Sequence, residues 1–451
     1  MKLTLVHPAI GRRLGQKYIR TWQMEPLPPA LIAALTPSDI EVRFYDDRME
    51  QIPFDEPTDL VAISVETYTA KRAYQIASAF RRRGVPVVMG GFHATLCPDE
   101  VALYAESVVV GEAEKLWPAV IDDYRHGTAQ KFYRQPGRPD LKGSTPDRRI
   151  FRGKRYLPIG LVEAGRGCHF RCEFCAVQTV FDRTQTRRPM DEILDEVASL
   201  KNRKGLIFFV DDNITSNLAE AKAFFRALIP LRVRWVSQAS INAAHDEEFL
   251  ELLERSGCQG VLIGFESLNA ANLAAMNKGF NLMGGGYAKA LENLRRFRIR
   301  LYATFIFGYD SDTTSCFDET VEFAMRHNFY ITAFNHLTPF PGTELYRRLE
   351  SEGRLLFPAW WLDDRYRYNM VPFRPITMTP EDVERGCVDA RRRFYSWSSI
   401  LRRSADPVNR ANLFMFRNYF LINALHRADV DGRNHYPLGE EAWQGPLLRA
   451  G

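Results

Sequence analysis

The stretch that decides the fold is Glu163-Ala164-Gly165-Arg166-Gly167-Cys168-His169-Phe170-Arg171-Cys172-Glu173-Phe174-Cys175. Three cysteines in a C-x3-C-x2-C loop follow directly on a short apolar strand, Leu161 to Val162. Thiolates packed this closely either hold a metal or form disulfides. Spacings this short strain a disulfide ring, and a third cysteine is left over. A soft site with three thiolate ligands suits an iron–sulfur cluster, in which three irons are held by protein and the fourth stays open. An open coordination position marks a catalytic site, by the logic that separates catalytic from structural zinc. A Cys3His zinc site using His169 is the competing reading. It requires two adjacent residues, Cys168 and His169, to reach one tetrahedral ion.

Working outward, the chain continues as six strand–helix units. The expected strands are Leu161–Ala164, Leu206–Val210, Val233–Ser237, Gly260–Phe265, Leu301–Phe307 and Tyr330–Leu337. The intervening helices are Pro189–Asn202, Leu218–Leu228, Asp246–Ser256, Gly286–Phe297 and Thr313–Arg326. Six units rather than eight make a partial barrel, with its chemistry at the carboxyl ends of the strands. Those ends are polar: Asp211-Asp212-Asn213, then Ser237-Gln238-Ala239-Ser240, then Gly264-Phe265-Glu266, then Gly308-Tyr309-Asp310. Any single acidic pair reads equally as a helix N-cap. Gly260 and Gly264 read equally as sites of close helix–strand packing.

Ahead of this region, residues 1–140 alternate apolar runs with helical patterns. Strands are expected at Leu3–Val6, Glu41–Tyr45, Leu60–Ser64, Val85–Met89 and Ser107–Val110, and helices at Pro28–Leu35, Ala70–Arg83 and Pro98–Tyr104. Near-continuous apolar strands alternating with helices specify a parallel, doubly wound sheet, whose ligands sit beyond the carboxyl ends of its strands. Three segments fall there: Ser64-Val65-Glu66-Thr67-Tyr68-Thr69, Gly90-Gly91-Phe92-His93-Ala94-Thr95 and Gly111-Glu112-Ala113-Glu114. The glycine pair lets the backbone approach a bulky ligand, and the hydroxyls suit a polar cofactor rim. Residues 141–157 read as a linker rich in charge, glycine and proline. Residues 346–451 read as a helical extension rich in aromatics and arginine. Its stretch Leu413–Leu421 is either an ordinary core helix or an amphipathic surface helix.

The totals are those of a globular protein: 451 residues, 45% hydrophobic, 25% charged, net charge +5. That charge is too small to imply nucleic acid. No run is long and apolar enough for a signal peptide or an integral membrane segment. Seven cysteines, three of them clustered, point to a reducing cytoplasm. Cys97, Cys258, Cys316 and Cys387 read as small buried hydrophobes.

The cysteine loop, with Phe174 just before its last cysteine, resembles that of the radical S-adenosylmethionine (SAM) enzymes. The Gly-Gly-x-His-Ala-Thr run and Gly-Glu-x-Glu turn resemble the cobalamin domain found ahead of such barrels, and Pro339-Phe340-Pro341-Gly342-Thr343-Glu344-Leu345 resembles the turn that closes them. The tail is similar to that of hopanoid-methylase-like members. The resemblance implies an α/β protein with a Rossmann-like cobalamin domain (1–140), a linker (141–157), a partial (β/α)6 radical SAM barrel (158–345) and a helical C-terminal domain (346–451). It implies a 4Fe–4S cluster on Cys168, Cys172 and Cys175. It also implies SAM contacts from Phe174, Asp211, Asp212, Asn213, Gln238, Ser240, Gly264 (against adenine) and Glu266. Cobalamin contacts are implied at Ser64, Glu66, Thr67, Gly90, Gly91, His93, Thr95, Gly111 and Glu112. No Asp-x-His-x-x-Gly motif is present, so base-off cobalamin without a histidine ligand is implied.

The implied reaction is methylation of an unactivated carbon through a 5′-deoxyadenosyl radical and methylcobalamin. The alternatives are a radical rearrangement, ring contraction or cyclisation with the same cofactors, or a cobalamin-binding sensor or carrier with a structural cluster. The implied partners are a small-molecule substrate, large or apolar, and an electron donor such as flavodoxin or ferredoxin. Tyr302, Tyr309, Trp360 and Trp361 are candidates for lining the substrate site and equally for core.

Overall fold

A computed structural model describes residues 1–450. The chain divides into two compact units: Met1–Leu157 with Ala359–Tyr368 and His435–Gly451, and Pro158–Pro358 with Asn369–Asn434.

The first unit is built on six parallel strands: β1 (Lys2–His7), β2 (Glu41–Asp46), β3 (Leu60–Ser64), β4 (Val87–Gly90), β5 (Ser107–Val110) and β6 (Phe132–Arg134). Their order is β2-β1-β3-β4-β5-β6, and every pairing is parallel. The order reverses direction at β1/β3, the switch point at which doubly wound sheets open a crevice. Leu3, Leu60, Val61 and Val88 are almost fully buried, as strands covered on both faces require.

Two elements depart from expectation. The helix Trp117–His126 and the strand β6 extend the fold beyond the fifth strand. The segment 141–157 is packed rather than a free linker. Phe151 stacks edge-on between Phe44 and Tyr156, Arg148 pairs with Glu25 at 2.9 Å, and Tyr156 Oη donates to Asp46 at 2.9 Å.

The second unit is a half-open barrel of β7 (Ile159–Val162), β8 (Leu206–Phe209), β9 (Trp235–Ala239), β10 (Cys258–Glu266), β11 (Leu301–Phe307) and β12 (Ile331–His336). The strands run in sequence order, all parallel, with β7 and β12 as its two edges. Helices at Met190–Lys201, Leu218–Leu228, Glu247–Arg255, Gly286–Arg296 and Ser315–Arg326 alternate with them, within a few residues of the periodicity reading. Outward-facing strand residues such as Ile207, Phe209, Trp235, Phe265 and Phe305 pack with these helices into one core.

The expected separate domain at 346–451 is instead shared out. In the first unit, Arg367–Tyr368 pairs with Tyr436–Pro437, and Gly439–Glu440 pairs with Gly11–Arg12. Trp360 and Trp361 are buried there, Trp360 against Tyr68 and Trp361 against His93, so they are core. The helices Pro380–Phe394, Trp397–Ser404 and Leu413–Arg433 belong with the barrel.

Gly386 marks the closest helix contact, since a Cβ there would fall 2.4 Å from the Phe317 ring. Gly386→Ala is therefore expected to overpack the core by about 1–3 kcal/mol. The check is thermal unfolding, where the midpoint falls by several degrees.

Candidate functional site

The cysteine loop leaves the end of β7 and is fastened along its length. Asp211 Oδ1 accepts from Ala164 N at 2.8 Å, and Asp212 Oδ2 accepts from Gly167 N at 2.8 Å. Gly165–Gly167 pairs antiparallel with Gln185–Arg187. Phe170 stacks on Phe280 with centroids 4.2 Å apart. Glu173 N donates to Met276 O at 3.2 Å, and Glu173 O accepts from Leu345 N at 3.1 Å. The buried Glu173 carboxylate accepts from Tyr309 Oη and, at 2.6 Å, from Arg348 Nε. Arg348 is held in turn by Asp310 at 2.6 Å. Tyr309 is thus a fully buried strut, not a lining residue, and Asp310 serves this network.

All three loop cysteines are free thiols. Burial pushes Cys172 up to about 12, against the pull of the Lys278 ammonium. It pushes Cys175 up to about 11, against the amides of Gln178 and Val177. Each of these thiols responds to the charge of Cys168, so the three are gathered within electrostatic reach. Among the described residues no three His, Cys, Asp or Glu side chains converge on one ion. His169 is engaged elsewhere: its backbone N and its Nδ1 lie 3.0 and 2.8 Å from Ser216 Oγ.

The strand ends beside the loop are linked to it. Asn213 Nδ2 donates to Ser240 Oγ at 2.6 Å and reaches Cys168 Sγ at 3.5 Å. Gln238 Nε2 donates to Asp211 O at 3.3 Å. Asp211 is buried, and its Oδ2 has no hydrogen-bond partner. Desolvation raises that carboxyl to about 7. Phe174 is half-buried against the barrel core.

Gly264 packs against an ion pair. The β10–β11 register shifts between Gly264 and Glu266, and Glu266 takes a left-handed φ of 62°. This bulge folds the Glu266 carboxylate back, so that a Cβ on Gly264 would lie 2.1 Å from Glu266 Oε1 and 2.8 Å from Lys278 Nζ. Lys278 Nζ donates to Glu266 Oε1 at 2.7 Å and to Gly264 O at 3.2 Å. Lys278 was not legible in sequence, because it sits after a helix and outside any strand end. Lys278→Met strands a buried carboxylate and is expected to cost about 3–5 kcal/mol, most of it recovered in Lys278→Met/Glu266→Gln. A double-mutant thermal-unfolding cycle checks this.

In the first unit the three strand-end loops interlock. Thr95 Oγ1 donates to Gly91 O and accepts from Gly111 N, both at 2.9 Å. Val65 N donates to Gly90 O at 2.7 Å, and His93 N donates to Val65 O at 3.0 Å. Glu66 accepts at the first turn of the helix that follows, in a reciprocal capping box with Thr69, and Thr67 is buried beside it. Ser64 closes β3 against Gly90. Glu112 accepts from both Nε and Nη2 of Arg138, at 2.9 and 3.0 Å. His93 is fully buried, with Nε2 3.1 Å from Glu100 Oε1 and Trp361 Nε1 donating to the same carboxylate at 3.0 Å.

Comparison with known proteins agrees with this arrangement. The radical SAM superfamily model matches residues 162–324. Bacteriochlorophyllide d C-12(1)-methyltransferase of Chlorobaculum tepidum is 32% identical over 396 residues, covering 85% of this chain and 86% of that protein. The chain belongs to the cobalamin-dependent radical SAM enzymes. Hopanoid C-2 methylase of Rhodopseudomonas palustris is a further relative of this radical SAM enzyme, 26% identical over 355 residues, covering 74% of the chain and 66% of that protein. The solved structure of the radical SAM methyltransferase TsrM from Kitasatospora setae, with cobalamin and a [4Fe-4S] cluster bound, shares the fold. Its TM-score is 0.61 at 18% identity, covering 85% of this chain and 81% of that one.

Proposed function

We propose that this radical SAM enzyme methylates an unactivated carbon of a small-molecule substrate. The observation that carries the reading is the 32% identity, over most of both chains, to a C-methyltransferase. When bound, a 4Fe–4S cluster, SAM and cobalamin supply reductive cleavage, hydrogen abstraction and a transferable methyl. Cys168, Cys172 and Cys175 hold the cluster, on a loop that the Glu173–Arg348 and Asp212–Gly167 contacts keep in place. The unpartnered Asp211 Oδ2 accepts from the ammonium group of SAM. Gln238, Ser240 and Asn213 orient its polar groups, with Asp212 and Phe174 contributing through the loop they position. The Lys278–Glu266 pair places a cation and an anion at the end of β10.

The barrel-facing sides of the strands carry half-buried Phe208, Val236, Leu262 and Tyr302, an apolar lining suited to a large apolar substrate. Cobalamin lies against the interlocked loops at Ser64–Thr67, Gly90–Thr95 and Gly111–Glu112. Gly111, with a φ of 91° and open space where a Cβ would be, supports close backbone approach there.

These loops would hold cobalamin base-off, since no Asp-x-His-x-x-Gly motif supplies a histidine ligand. His93 is enclosed and committed to Glu100. Electron paramagnetic resonance of cobalamin-loaded protein tests this, since nitrogen superhyperfine splitting overturns it. The reaction itself is tested with SAM carrying a deuterated methyl group. Deuterium in the product is the expected result, and a product without it points to rearrangement or cyclisation. An external one-electron donor such as flavodoxin or ferredoxin is required. Seven free thiols support a reducing compartment such as the cytoplasm.

A further inference from the structure

Ten large hydrophobic side chains are exposed among the described residues, and four of them, Trp397, Leu401, Leu413 and Leu421, fall within 25 residues of one another. They lie on two helices, Trp397–Ser404 and Leu413–Arg433, that pack together. The inner faces are accounted for. Ile400, Met415 and Tyr419 form a buried cluster with Tyr330, and Tyr419 Oη donates to Ile400 O at 2.9 Å. Arg403 is buried among the carbonyls of Phe329 and Phe394, at 2.8 and 3.0 Å.

The outer faces have no such partners. Trp397 and Leu401 stand one turn apart on the short helix, 51% and 59% exposed. Leu413, Arg417 and Leu421 repeat at every fourth residue on the long one, and half-buried Phe416 and Phe420 fill the positions between, with ring centroids 5.5 Å apart. The two stripes are held side by side. Besides the Tyr419–Ile400 bond, the Arg427 guanidinium lies 5.8 Å from the Trp397 ring centroid.

Charge says what this surface meets. Between Trp397 and Arg427 the exposed charged side chains are Arg402, Arg410, Arg417 and Arg427, all basic. The single acidic residue in that span, Asp406, is buried and neutralised by Arg295 at 2.9 Å. His426 adds no charge, because burial holds its pKa down to about 3. The long helix is not a membrane span, since no described helix is long and apolar enough to cross a bilayer. An exposed patch of one tryptophan and three leucines with exposed arginines beside it, the acidic Asp429 and Asp431 lying beyond Arg427 at the helix end, suits the headgroup–acyl boundary of an anionic bilayer. Long arginine side chains reach outward from such a face to phosphate while the apolar residues enter the acyl boundary.

We propose that the outer face of these two helices docks the enzyme on an anionic phospholipid surface. This stands independently of the reaction proposed above, because it uses none of the cofactor-site residues.

The test is flotation of the full-length, cofactor-loaded protein with vesicles of phosphatidylglycerol and phosphatidylcholine, compared with phosphatidylcholine alone. The expected result is several-fold greater recovery with the anionic vesicles, lost in high salt. Leu401→Glu/Leu421→Glu is expected to lower recovery at least tenfold, and Arg402→Gln/Arg417→Gln to remove the preference for anionic lipid. Both pairs are surface substitutions, and unchanged thermal midpoints and iron content show that the fold is intact. Equal recovery with the two vesicle types overturns the proposal. So does the absence of vesicle binding together with a concentration-dependent dimer that Leu401→Glu/Leu421→Glu dissociates, which assigns the face to a second copy of the chain.

Discussion

Cys172→Ala, and equally Cys168→Ala or Cys175→Ala, is expected to leave the enzyme unable to retain a 4Fe–4S cluster or to form 5′-deoxyadenosine at a detectable rate. On the proposed assignment each thiol would serve a different iron, so losing one would leave two attachments where three are needed. The loop itself persists, because its fastening runs through Asp211, Asp212, Glu173 and Phe170 rather than through the thiols. Iron content, cluster absorbance and 5′-deoxyadenosine release are the measurements. Cys97→Ala and Cys316→Ala serve as controls that keep the cluster. Burial pushes the metal-free Cys172 and Cys175 thiols up to about 12 and 11, so a protein without cluster carries them protonated at neutral pH. Cluster assembly displaces those protons, and reconstitution is therefore expected to be favoured as pH rises toward those values. A cluster retained in full by any of the three single variants overturns the assignment of that cysteine.

The second large effect is expected at Gly91. Its backbone sits at φ 101°, ψ −172°, a region essentially reserved for glycine. A Cβ there would fall 2.9 Å from Val65 O and 3.0 Å from Val65 N, main-chain atoms that have nowhere to go. Gly91→Ala therefore adds a backbone clash to a conformational strain of about 1–3 kcal/mol. It separates the loop after β4 from the loop after β3. The expected outcome is loss of most bound cobalamin with the iron content unchanged, read as the ratio of cobalamin to iron in the purified protein. Gly111→Ala is the companion. Its φ of 91° carries strain, but nothing lies within 4 Å of the added methyl, so cobalamin loss beyond that of a strained loop reports contact with the ligand itself. Wild-type cobalamin retention in Gly91→Ala removes the cradle reading.

Much of the architecture was legible because it is written locally. Short apolar runs alternating with helical patterns placed every strand of both sheets except β6, and the barrel helices fell within a few residues of expectation. A six-strand barrel and a five-strand sheet announce themselves by period, and the short β6 does not, because three residues, Phe132–Arg134, carry no readable alternation. The helix Trp117–His126 was hidden by the charges and the glycine at its end.

The sites divided in the same way. The three cysteines could be read from spacing alone, since ligand type and separation constrain the metal before any fold is known. The polar strand ends could be read as a set, but not their individual duties. Asp211 and Asp212 spend one oxygen each on the amides of Ala164 and Gly167, and the buried Oδ2 of Asp211 is left without a partner. Gly264 read equally as room for a ligand and as a close-packing site, and the ion pair packed against it was not legible. Lys278 is twelve residues from Glu266, and the bulge that brings them together leaves no local signature.

By itself, then, the order of residues determined the cysteine loop, the two parallel sheets and the family they belong to, because each depends on contacts between near neighbours and on backbone period. Only the tertiary structure decided that segments 359–368 and 435–450 join the first unit, that 369–434 joins the barrel, and that Trp360, Trp361 and Tyr309 are core. Those outcomes rest on pairings across hundreds of residues, such as Gly439 with Gly11 and Arg348 with Glu173. Such pairings are selected by shape, burial and charge once the chain is folded, and no stretch of sequence carries them alone.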